Sequence, residues 1–195
     1  MANLVEEVQT QYWDTCLFVH FLTKADPDKA TIVNEGFQLA RSGKLLIIIS
    51  AFVIAETRPH DGSKYKHPNE DDRKEIEQLF TTNRRYLRVV AASRPIALRS
   101  REIAAELARR GHNITVPDAI HLATAEQEKV GCFLTWDGEN PKDARRSQKL
   151  LPCNGLLGNP PMAIKMPQHD WGPLFLPAAE EPLALPAPPT ATLQP

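Results

Sequence analysis

The stretch TVPDAIHLATAEQEKVGCFLTWDGE, residues 115–139, places one aspartate at the start of a predicted helix and another at the end of a predicted strand. Pro117 stands directly before Asp118, as is typical of a first helical turn. The apolar run CFLTW then leads to Asp137 at a strand end. A helix followed by a short apolar strand indicates one repeat of an α/β fold.

The rest of the chain repeats this alternation of strand and helix. We predict strands at VQTQYWD (8–14), LLIII (45–49), LRVVAAS (87–93), CFLTWD (132–137) and MAIKMP (162–167). We predict helices at 15–23, 26–43, 50–57, 72–86, 94–111 and 117–131, with Asp26 and Ser50 as N-caps. The continuous apolar run LLIII is typical of a strand that is buried on both faces. Strands separated by helices predict a central parallel sheet covered by helices.

Length and composition favour one domain followed by a tail. A chain of 195 residues suits a single core, and a net charge of −1 indicates no polyanion partner by bulk charge alone. Prolines recur every few residues from Trp171 onward, which opposes both helix and strand. We therefore predict a domain at 1–170 and a flexible, proline-rich tail at 171–195.

The cysteines and the apolar runs indicate a cytoplasmic protein. The three cysteines form no CxxC pair, which suits a reducing compartment. The acidic start MANLVEEVQT lacks the pattern of a secretory signal. No apolar run approaches the ~18 residues that a membrane span needs.

Four acids fall at related places in the predicted fold. Asp14 ends the first strand, Glu56 lies early in the helix after LLIII, Asp118 starts its helix and Asp137 ends its strand. In an open parallel sheet these positions share one edge, where such folds bind ligands. Carboxylates brought together repel one another, and a divalent cation such as Mg²⁺ or Mn²⁺ relieves the repulsion. The chemistry that uses such a site is phosphodiester hydrolysis.

Each acid also has a purely structural interpretation. Asp118 is placed to cap a helix, Asp137 before Gly138 to form a turn, and Glu56 to face solvent. Asp14 is harder to explain in this way, because its neighbours in YWDTCLFVHFL are apolar and a buried carboxylate without a partner is costly. The joint pattern is more specific than any single member.

These residues, read as YWDT, SAFVIAE, PDAIHLATA and LTWD, resemble the acidic positions of the PIN domain family, and in particular of VapC-type toxin nucleases. The resemblance covers about residues 10–170. It implies a three-layer α/β/α fold and a Mg²⁺- or Mn²⁺-dependent ribonuclease. It also implies a homodimer and a cognate antitoxin. The resemblance implies that the catalytic and metal-binding acids are Asp14, Glu56, Asp118 and Asp137. It also implies that the hydroxyls of Thr15 and Thr135 support them.

The sequence departs from that family after the last aspartate, where DGENPKD lacks the usual hydrophobic residue. Either Glu139, Asn140 or Asp143 supplies an extra ligand, or the loop is rearranged. The loop at 57–72 and the tail are longer than a minimal toxin needs.

Two groups of cations are candidates for holding RNA. Residues 84–110 contain eight arginines against two acids, and Arg84, Arg85 and Arg88 are the favoured members. The loop residues Lys64 and Lys66 are the second group. Both also suit an ordinary solvated surface. For His121, a packed helix position is favoured over a role in orienting a carboxylate.

Three functions remain in competition. The first is a metal-dependent endoribonuclease, and the second is a catalytically lapsed PIN-like module that binds RNA or protein. The third, a phosphatase with an aspartyl nucleophile, needs a second aspartate two residues after Asp14, where this chain has Cys16.

Overall fold

The structure, a computed structural model, describes residues 8–57, 70–81, 85–169 and 171. Helices and strands follow one another in the predicted order. The elements are β1 (Gln9–Trp13), α1 (Thr15–Thr23), α2 (Pro27–Arg41), β2 (Leu45–Ser50), α3 (Ala51–Glu56), α4 (Glu70–Thr81), β3 (Leu87–Val90), α5 (Arg94–Arg109), α6 (Val116–Gln127), β4 (Cys132–Leu134) and β5 (Ile164–Lys165). None of the described helices has the length and apolar character needed to cross a bilayer.

The described strands form one sheet in the order β3-β2-β1-β4-β5, and every neighbouring pair is parallel. The chain builds outward from β1 through β2 and β3, then returns to the other side of β1 with β4. The order of the strands therefore reverses between β1 and β4. In sheets of this kind the carboxyl ends at such a reversal leave a crevice that binds ligands.

Helices cover both faces of the sheet, which confirms the predicted three-layer α/β/α architecture. Successive side chains of a strand point to opposite faces. Trp13, Ile47 and Ile49 accordingly pack with α1 and α2, whereas Tyr12 and Ile48 pack with α5 and α6. All five of these side chains are buried, as expected of strands covered on both faces.

Two helix starts differ in how they are capped. Asp26 caps α2 as predicted, because its Oδ1 accepts a hydrogen bond of 3.2 Å from the backbone N–H of Lys29. Ser50 occupies the cap position of α3, but its side chain makes no capping bond and lies 2.9 Å from Nδ1 of His121 instead. Glu56 is the last residue of α3, so the prediction that it lies early in that helix is wrong.

Trp171, the last described residue, packs into the core beside α2. Its side chain is 5% exposed and stacks on Trp13, with ring centroids 5.8 Å apart. It also covers Gly36 on α2, the only residue type whose lack of a Cβ leaves room for the indole. Residues 172–195, where the tail is predicted, lie outside the described part of the chain.

Candidate active site

Asp14 links the end of β1 to the start of α1. It is the N-cap of α1, where its Oδ1 accepts a hydrogen bond of 2.8 Å from the backbone N–H of Thr15. Its Oδ2 accepts a hydrogen bond of 2.6 Å from the hydroxyl of Thr135. The residue is 6% exposed, so its carboxylate is buried but supplied with donors. This removes the cost that an unpartnered buried carboxylate would carry.

Thr135 joins the ends of the two central strands. It follows β4, is fully buried, and donates to Asp14 while its Oγ1 accepts a hydrogen bond of 2.8 Å from the backbone N–H of Asp137. The backbone N–H of Asp14 in turn donates to the carbonyl of Leu134 at 3.0 Å. Thr135 thus hydrogen-bonds the carboxylate of Asp14 and the backbone of Asp137.

Glu56 enters the same region from α3. Its Oε2 accepts hydrogen bonds from the hydroxyl of Thr15 at 2.5 Å and from Nε2 of His121 at 2.9 Å. Burial opposes its charge, but the bonds from His121 and Thr15 outweigh burial and lower the pKa of Glu56 below its ordinary value. Thr15 thus contacts Asp14 through its amide and Glu56 through its hydroxyl.

His121 lies at the centre of a buried hydrogen-bonded chain. Its Nδ1 is 2.7 Å from the hydroxyl of Tyr12, which itself accepts a hydrogen bond of 3.0 Å from the backbone N–H of Ser50. The Tyr12 hydroxyl therefore donates to Nδ1. Burial raises the pKa of Tyr12, so it remains the protonated donor. This arrangement assigns the ring proton to Nε2, which donates it to Glu56.

The sequence favours a packed His121, and the structure confirms the packing, since the residue is 1% exposed. It also shows the contact that the alternative, a histidine that orients a carboxylate, requires, because Nε2 lies 2.9 Å from Oε2 of Glu56. Sequence reasoning missed Tyr12 and Ser50, the partners that fix the ring. The sequence signal that could have identified them is that Tyr12 and Ser50 are polar or amphipathic residues at the ends of apolar strands.

Asp118 combines the capping and the electrostatic interpretations. Thr115 and Asp118 form a capping box, in which Oδ2 of Asp118 accepts from the backbone N–H and hydroxyl of Thr115 at 3.2 and 2.6 Å. Burial, and then the charges of Asp14 and Asp137, nevertheless raise the pKa of the Asp118 carboxyl. The charges of Asp14 and Asp137 therefore both act on the Asp118 carboxyl.

Asp137 is engaged on both oxygens. Its Oδ1 accepts a hydrogen bond of 2.8 Å from Nζ of Lys149, and its Oδ2 accepts one of 3.0 Å from the backbone N–H of Leu150. The carboxylate raises the pKa of Lys149, so the pair is ionic. Sequence reasoning missed Lys149, although it belongs to a basic run soon after Asp137.

Cys16 occupies the position where an aspartyl phosphatase needs its second aspartate. Its Sγ lies 3.3 Å from Oδ2 of Asp14 and accepts a hydrogen bond of 3.3 Å from the backbone N–H of Trp136. Burial and the charge of Asp14 raise the pKa of the thiol well above its ordinary value. The residue is thus a neutral neighbour of Asp14 and supplies no second carboxylate.

The residues after Asp137 do not add carboxylates to this rim. Glu139 binds Nζ of Lys29 through both oxygens at 2.7 Å. Asn140 and Asp143 accept hydrogen bonds from the backbone of their own loop, at Lys142 and Arg145. Of the two interpretations of DGENPKD, the rearranged loop is the one that fits these contacts.

The cations predicted to hold RNA are only partly described. Arg85 is exposed in the turn before β3. Arg88 is exposed but forms an ion pair of 3.0 Å with Glu128. Arg84, Lys64 and Lys66 lie outside the described residues, as does most of the predicted 57–72 loop.

The donor set suits a hard divalent cation in chemistry. Carboxylate oxygens are the ligands that Mg²⁺ and Mn²⁺ prefer. Burial, and to a lesser extent the charges of Asp14 and Asp137, raises the pKa of Asp118, and a bound cation would favour its ionised form. Over residues 8–57, 70–81, 85–169 and 171, however, no three His, Cys, Asp or Glu side chains form a group that could hold one ion. Magnesium is commonly bound by one or two carboxylates and keeps several waters, so these residues still fit it.

Comparison with known proteins agrees with this architecture. Two similar solved structures are VapBC2 from Rickettsia felis bound to a promoter DNA fragment and DNA-bound VapBC from Salmonella typhimurium. The first shares 17% identity at a TM-score of 0.51, and the second 21% at 0.50. Both alignments cover 81% of this chain and 98% of the other. At these identities the likeness shows the fold alone.

The search of curated proteins finds no match for this chain. A family model described as the PIN domain matches residues 12–144, which is more than half of the sequence. That segment contains all four acids at the carboxyl edge of the sheet. The chain belongs to the PIN domain family.

Proposed function

We propose that this PIN domain is a metal-dependent endoribonuclease that hydrolyses RNA phosphodiester bonds. PIN domains are typically nucleases that use divalent metals. The observation that carries the proposal is the placement of Asp14 and Asp118 at the reversal of strand order, Asp14 directly after β1 and Asp118 in the first turn of α6, where the charge of Asp14 adds to burial in raising the pKa of Asp118. Structural caps alone do not explain why two carboxylates share that crevice.

The metal would be Mg²⁺ or Mn²⁺, held by Asp14 and Asp118, with Glu56 and Asp137 adding negative charge to the rim. When bound, such an ion polarises the phosphate and lowers the pKa of a water. Asp14 is fixed in orientation by its hydrogen bonds from Thr15 and Thr135. The backbone N–H groups at the start of α6 add partial positive charge close to Asp118, which favours a phosphate there.

Glu56 acts through a fixed orientation. His121 and Thr15 hold one of its oxygens and keep it ionised, so it is competent to accept a proton from an attacking water. The role is consistent with its partial exposure, since 33% of its side chain is accessible. Carboxylates at metal sites are themselves held by hydrogen-bonding partners, which fix their orientation.

We further infer that the protein is the toxin of a toxin–antitoxin pair, acting in the cytoplasm as a homodimer with a cognate antitoxin. Support comes from the similar structures, which are VapBC complexes that align over 81% of this chain. Light scattering of the purified protein, alone and after co-expression with a candidate antitoxin, tests the dimer and the partner. Recovery of a stable monomer with no partner would count against both.

One observation favours the alternative, a catalytically lapsed module that binds RNA or protein. Asp137 is occupied by Lys149 and Leu150, so a carboxylate that the family resemblance assigns to metal is satisfied by the protein itself. A lapsed module would bind RNA equally well with and without metal, and would not turn it over.

The deciding experiment is cleavage of total tRNA, rRNA and an unstructured oligonucleotide with Mg²⁺ or Mn²⁺, against an EDTA control. The wild-type protein is compared with Asp14→Asn and with Asp28→Asn, a matched change at an exposed acid of α2. We expect metal-dependent cutting that Asp14→Asn abolishes and Asp28→Asn preserves, with unchanged circular dichroism. Equal cutting by both variants, or cutting in EDTA, would contradict the proposal.

A further inference from the structure

The connection between β4 and β5 carries a concentrated positive charge. Residues 140–149, hereafter the basic segment, read NPKDARRSQK, with four cations against one acid. The cations are Lys142, Arg145, Arg146 and Lys149. The first three are exposed, so their charges face solvent. A net charge of −1 for the whole chain conceals this local excess.

The basic segment is held in a defined conformation by its own polar residues. The side chain of Asn140 accepts a hydrogen bond of 3.0 Å from the backbone N–H of Lys142, and that of Asp143 accepts one of 2.8 Å from Arg145. Such local bonds fix turns. The carbonyl of Ser147 then accepts a hydrogen bond of 2.7 Å from the backbone of Asn113, which ties the segment to the connection before α6.

Asp137 fixes the segment against the acidic rim. It binds Lys149 and the backbone of Leu150, and its carbonyl accepts a hydrogen bond of 3.0 Å from Leu151. Gly138 makes the close approach possible. A Cβ there would lie 2.8 Å from Cβ of Lys149, and its φ of +96° is one that other residues rarely adopt.

Arg145 and Arg146 are the cations of the segment that are little neutralised, and Arg146 reaches the backbone next to Asp137. A guanidinium nitrogen of Arg146 lies 3.5 Å from the carbonyl of Gly138, the residue next to Asp137. Arg145 makes only a long contact of 4.0 Å with Asp143, and its side chain is 73% exposed. Cations next to a carboxylate rim suit a substrate whose phosphates run past the reacting one.

Two arginines on and next to α5, Arg99 and Arg110, are less suited to that task. Arg99 forms ion pairs with Glu102 and with Glu126, which join α5 to α6. Arg110 forms an ion pair of 3.2 Å with Glu106. A guanidinium bound to a carboxylate has to give up that bond before it can hold a phosphate.

We propose that the basic segment is the surface that binds the phosphate backbone of single-stranded RNA, and that Asp137 serves to anchor this surface. The proposal rests on the proposed function, because it names the substrate-holding part of the same site. It assigns Arg145 and Arg146 to phosphates on one side of the rim. Lys149 and Asp137 are positioning residues that set where the segment meets the carboxylates.

The test measures RNA binding without cleavage. Full-length protein carrying Asp14→Asn binds a fluorescent single-stranded oligonucleotide in EDTA, and anisotropy gives the affinity over a range of salt concentrations. We expect Arg145→Gln with Arg146→Gln to weaken binding about tenfold or more at moderate salt. The slope of log affinity against log salt should fall by about 0.7 for each phosphate contact removed.

Two controls separate this surface from general charge and from misfolding. Lys44→Gln with Lys129→Gln removes two exposed charges at the opposite edge of the sheet, before β2 and after α6, and should leave affinity within about twofold. Arg145→Lys with Arg146→Lys keeps both charges and should restore most of the binding. The proposal is overturned if both double glutamine variants lose RNA affinity equally. It is also overturned if Arg145→Gln with Arg146→Gln loses no affinity.

The outcome is independent of catalysis. If the wild-type protein cleaves no RNA, the proposed nuclease fails, yet the salt-dependent loss on changing Arg145 and Arg146 still identifies the binding surface. If the protein cleaves RNA but the glutamine pair binds as tightly as its parent, the nuclease stands and this surface does not.

Discussion

His121 Nε2 lies 2.9 Å from Oε2 of Glu56, across 65 residues of sequence and between two helices on the same edge of the sheet. The histidine is 1% exposed, whereas the glutamate side chain is 33% exposed. A buried donor therefore holds an accessible acceptor. The buried His121, which substrate does not reach, therefore fixes the orientation of the Glu56 carboxylate, as expected if Glu56 is a metal ligand or a base.

Replacement of His121 should uncouple Glu56 from the core. We expect His121→Ala to lower kcat by about 10- to 100-fold, the range found when an orienting partner of a metal-site residue is removed. It should also cost about 1–3 kcal/mol of unfolding free energy, because it leaves buried polar groups of Tyr12 and Ser50 without their partner. Single-turnover cleavage and urea denaturation measure the two effects.

The matched control is Tyr12→Phe, which removes the hydroxyl behind the ring but leaves the imidazole in place. We expect a similar loss of stability with a smaller loss of kcat, because Glu56 keeps its donor. If Tyr12→Phe and His121→Ala lower kcat equally, the effect comes from the core and the orienting role of His121 is wrong.

Removing the charge of Asp118 should separate stability from activity. The pKa of Asp118 is raised in the folded state, so ionisation of this carboxyl disfavours folding. The stabilisation by its protonated form is fully present below the ordinary pKa. It is lost as the pH rises through the raised pKa. Asp118→Asn should therefore be at least as stable as wild type near pH 7, with an advantage that shrinks below about pH 4. Asparagine also keeps an oxygen that can accept from Thr115.

Cleavage by Asp118→Asn should nevertheless fall by about 100-fold or more, because a charge that the reaction uses is gone. Denaturation midpoints near pH 7 and below about pH 4 check the predicted stability, and cleavage rates check the predicted loss of activity. A variant that is clearly less stable at neutral pH and still cleaves RNA would mean that Asp118 is only a cap.

The ion pair between Asp137 and Lys149 should be measurable as a coupling. Their side chains are 26% and 25% exposed, so solvent screens the pair only in part. We expect a double-mutant cycle of Asp137→Asn and Lys149→Met to give a coupling of about 1 kcal/mol, at the upper end for accessible pairs.

The Arg110–Glu106 pair on α5 serves as the comparison for that cycle. Its arginine side chain is 48% exposed, and helical pairs at this spacing contribute about 0.3–0.5 kcal/mol. Equal couplings in the two cycles, or additive effects of Asp137→Asn and Lys149→Met, would show that Asp137 does not anchor the basic segment.

Much of the fold and part of the site follow from local sequence patterns. Asp26 before Pro27 marks a helix start, and the run LLIII marks a strand buried on both faces, because both signals depend on nearby residues. Asp14 and Asp118 could be assigned to one edge from the order of strands and helices alone. The rule that parallel strands end at a common edge supplies the long-range step.

The remaining parts depend on which side chains meet across the chain. Nothing local to His121 reveals that Tyr12 and Glu56 flank it, 109 and 65 residues away. Nor does the sequence decide that Lys149 pairs with Asp137, since a basic run is equally compatible with a solvated turn. Sequence predicts where polar groups leave their elements, and tertiary packing selects their partners.

Packing at the end of the described chain gives the last prediction. An added Cβ on Gly36 would lie 2.5 Å from Cη2 of Trp171 and 2.8 Å from Cη2 of Trp13. Neither ring can retreat easily, because Trp13 is fully buried and stacks on Trp171. Gly36→Ala should therefore cost about 1–3 kcal/mol of unfolding free energy, in spite of the better helix propensity of alanine.

Gly131→Ala is the control, because the nearest atom to its added Cβ is 3.5 Å away, an ordinary contact. Gly36→Ala should cost less unfolding free energy in a Trp171→Ala background than in the wild-type protein, since Trp171→Ala removes the nearer of the two rings. Urea denaturation of the four proteins gives the coupling. If Gly36→Ala is as stable as wild type, or if the two changes are additive, the indole of Trp171 does not pack against α2 in solution.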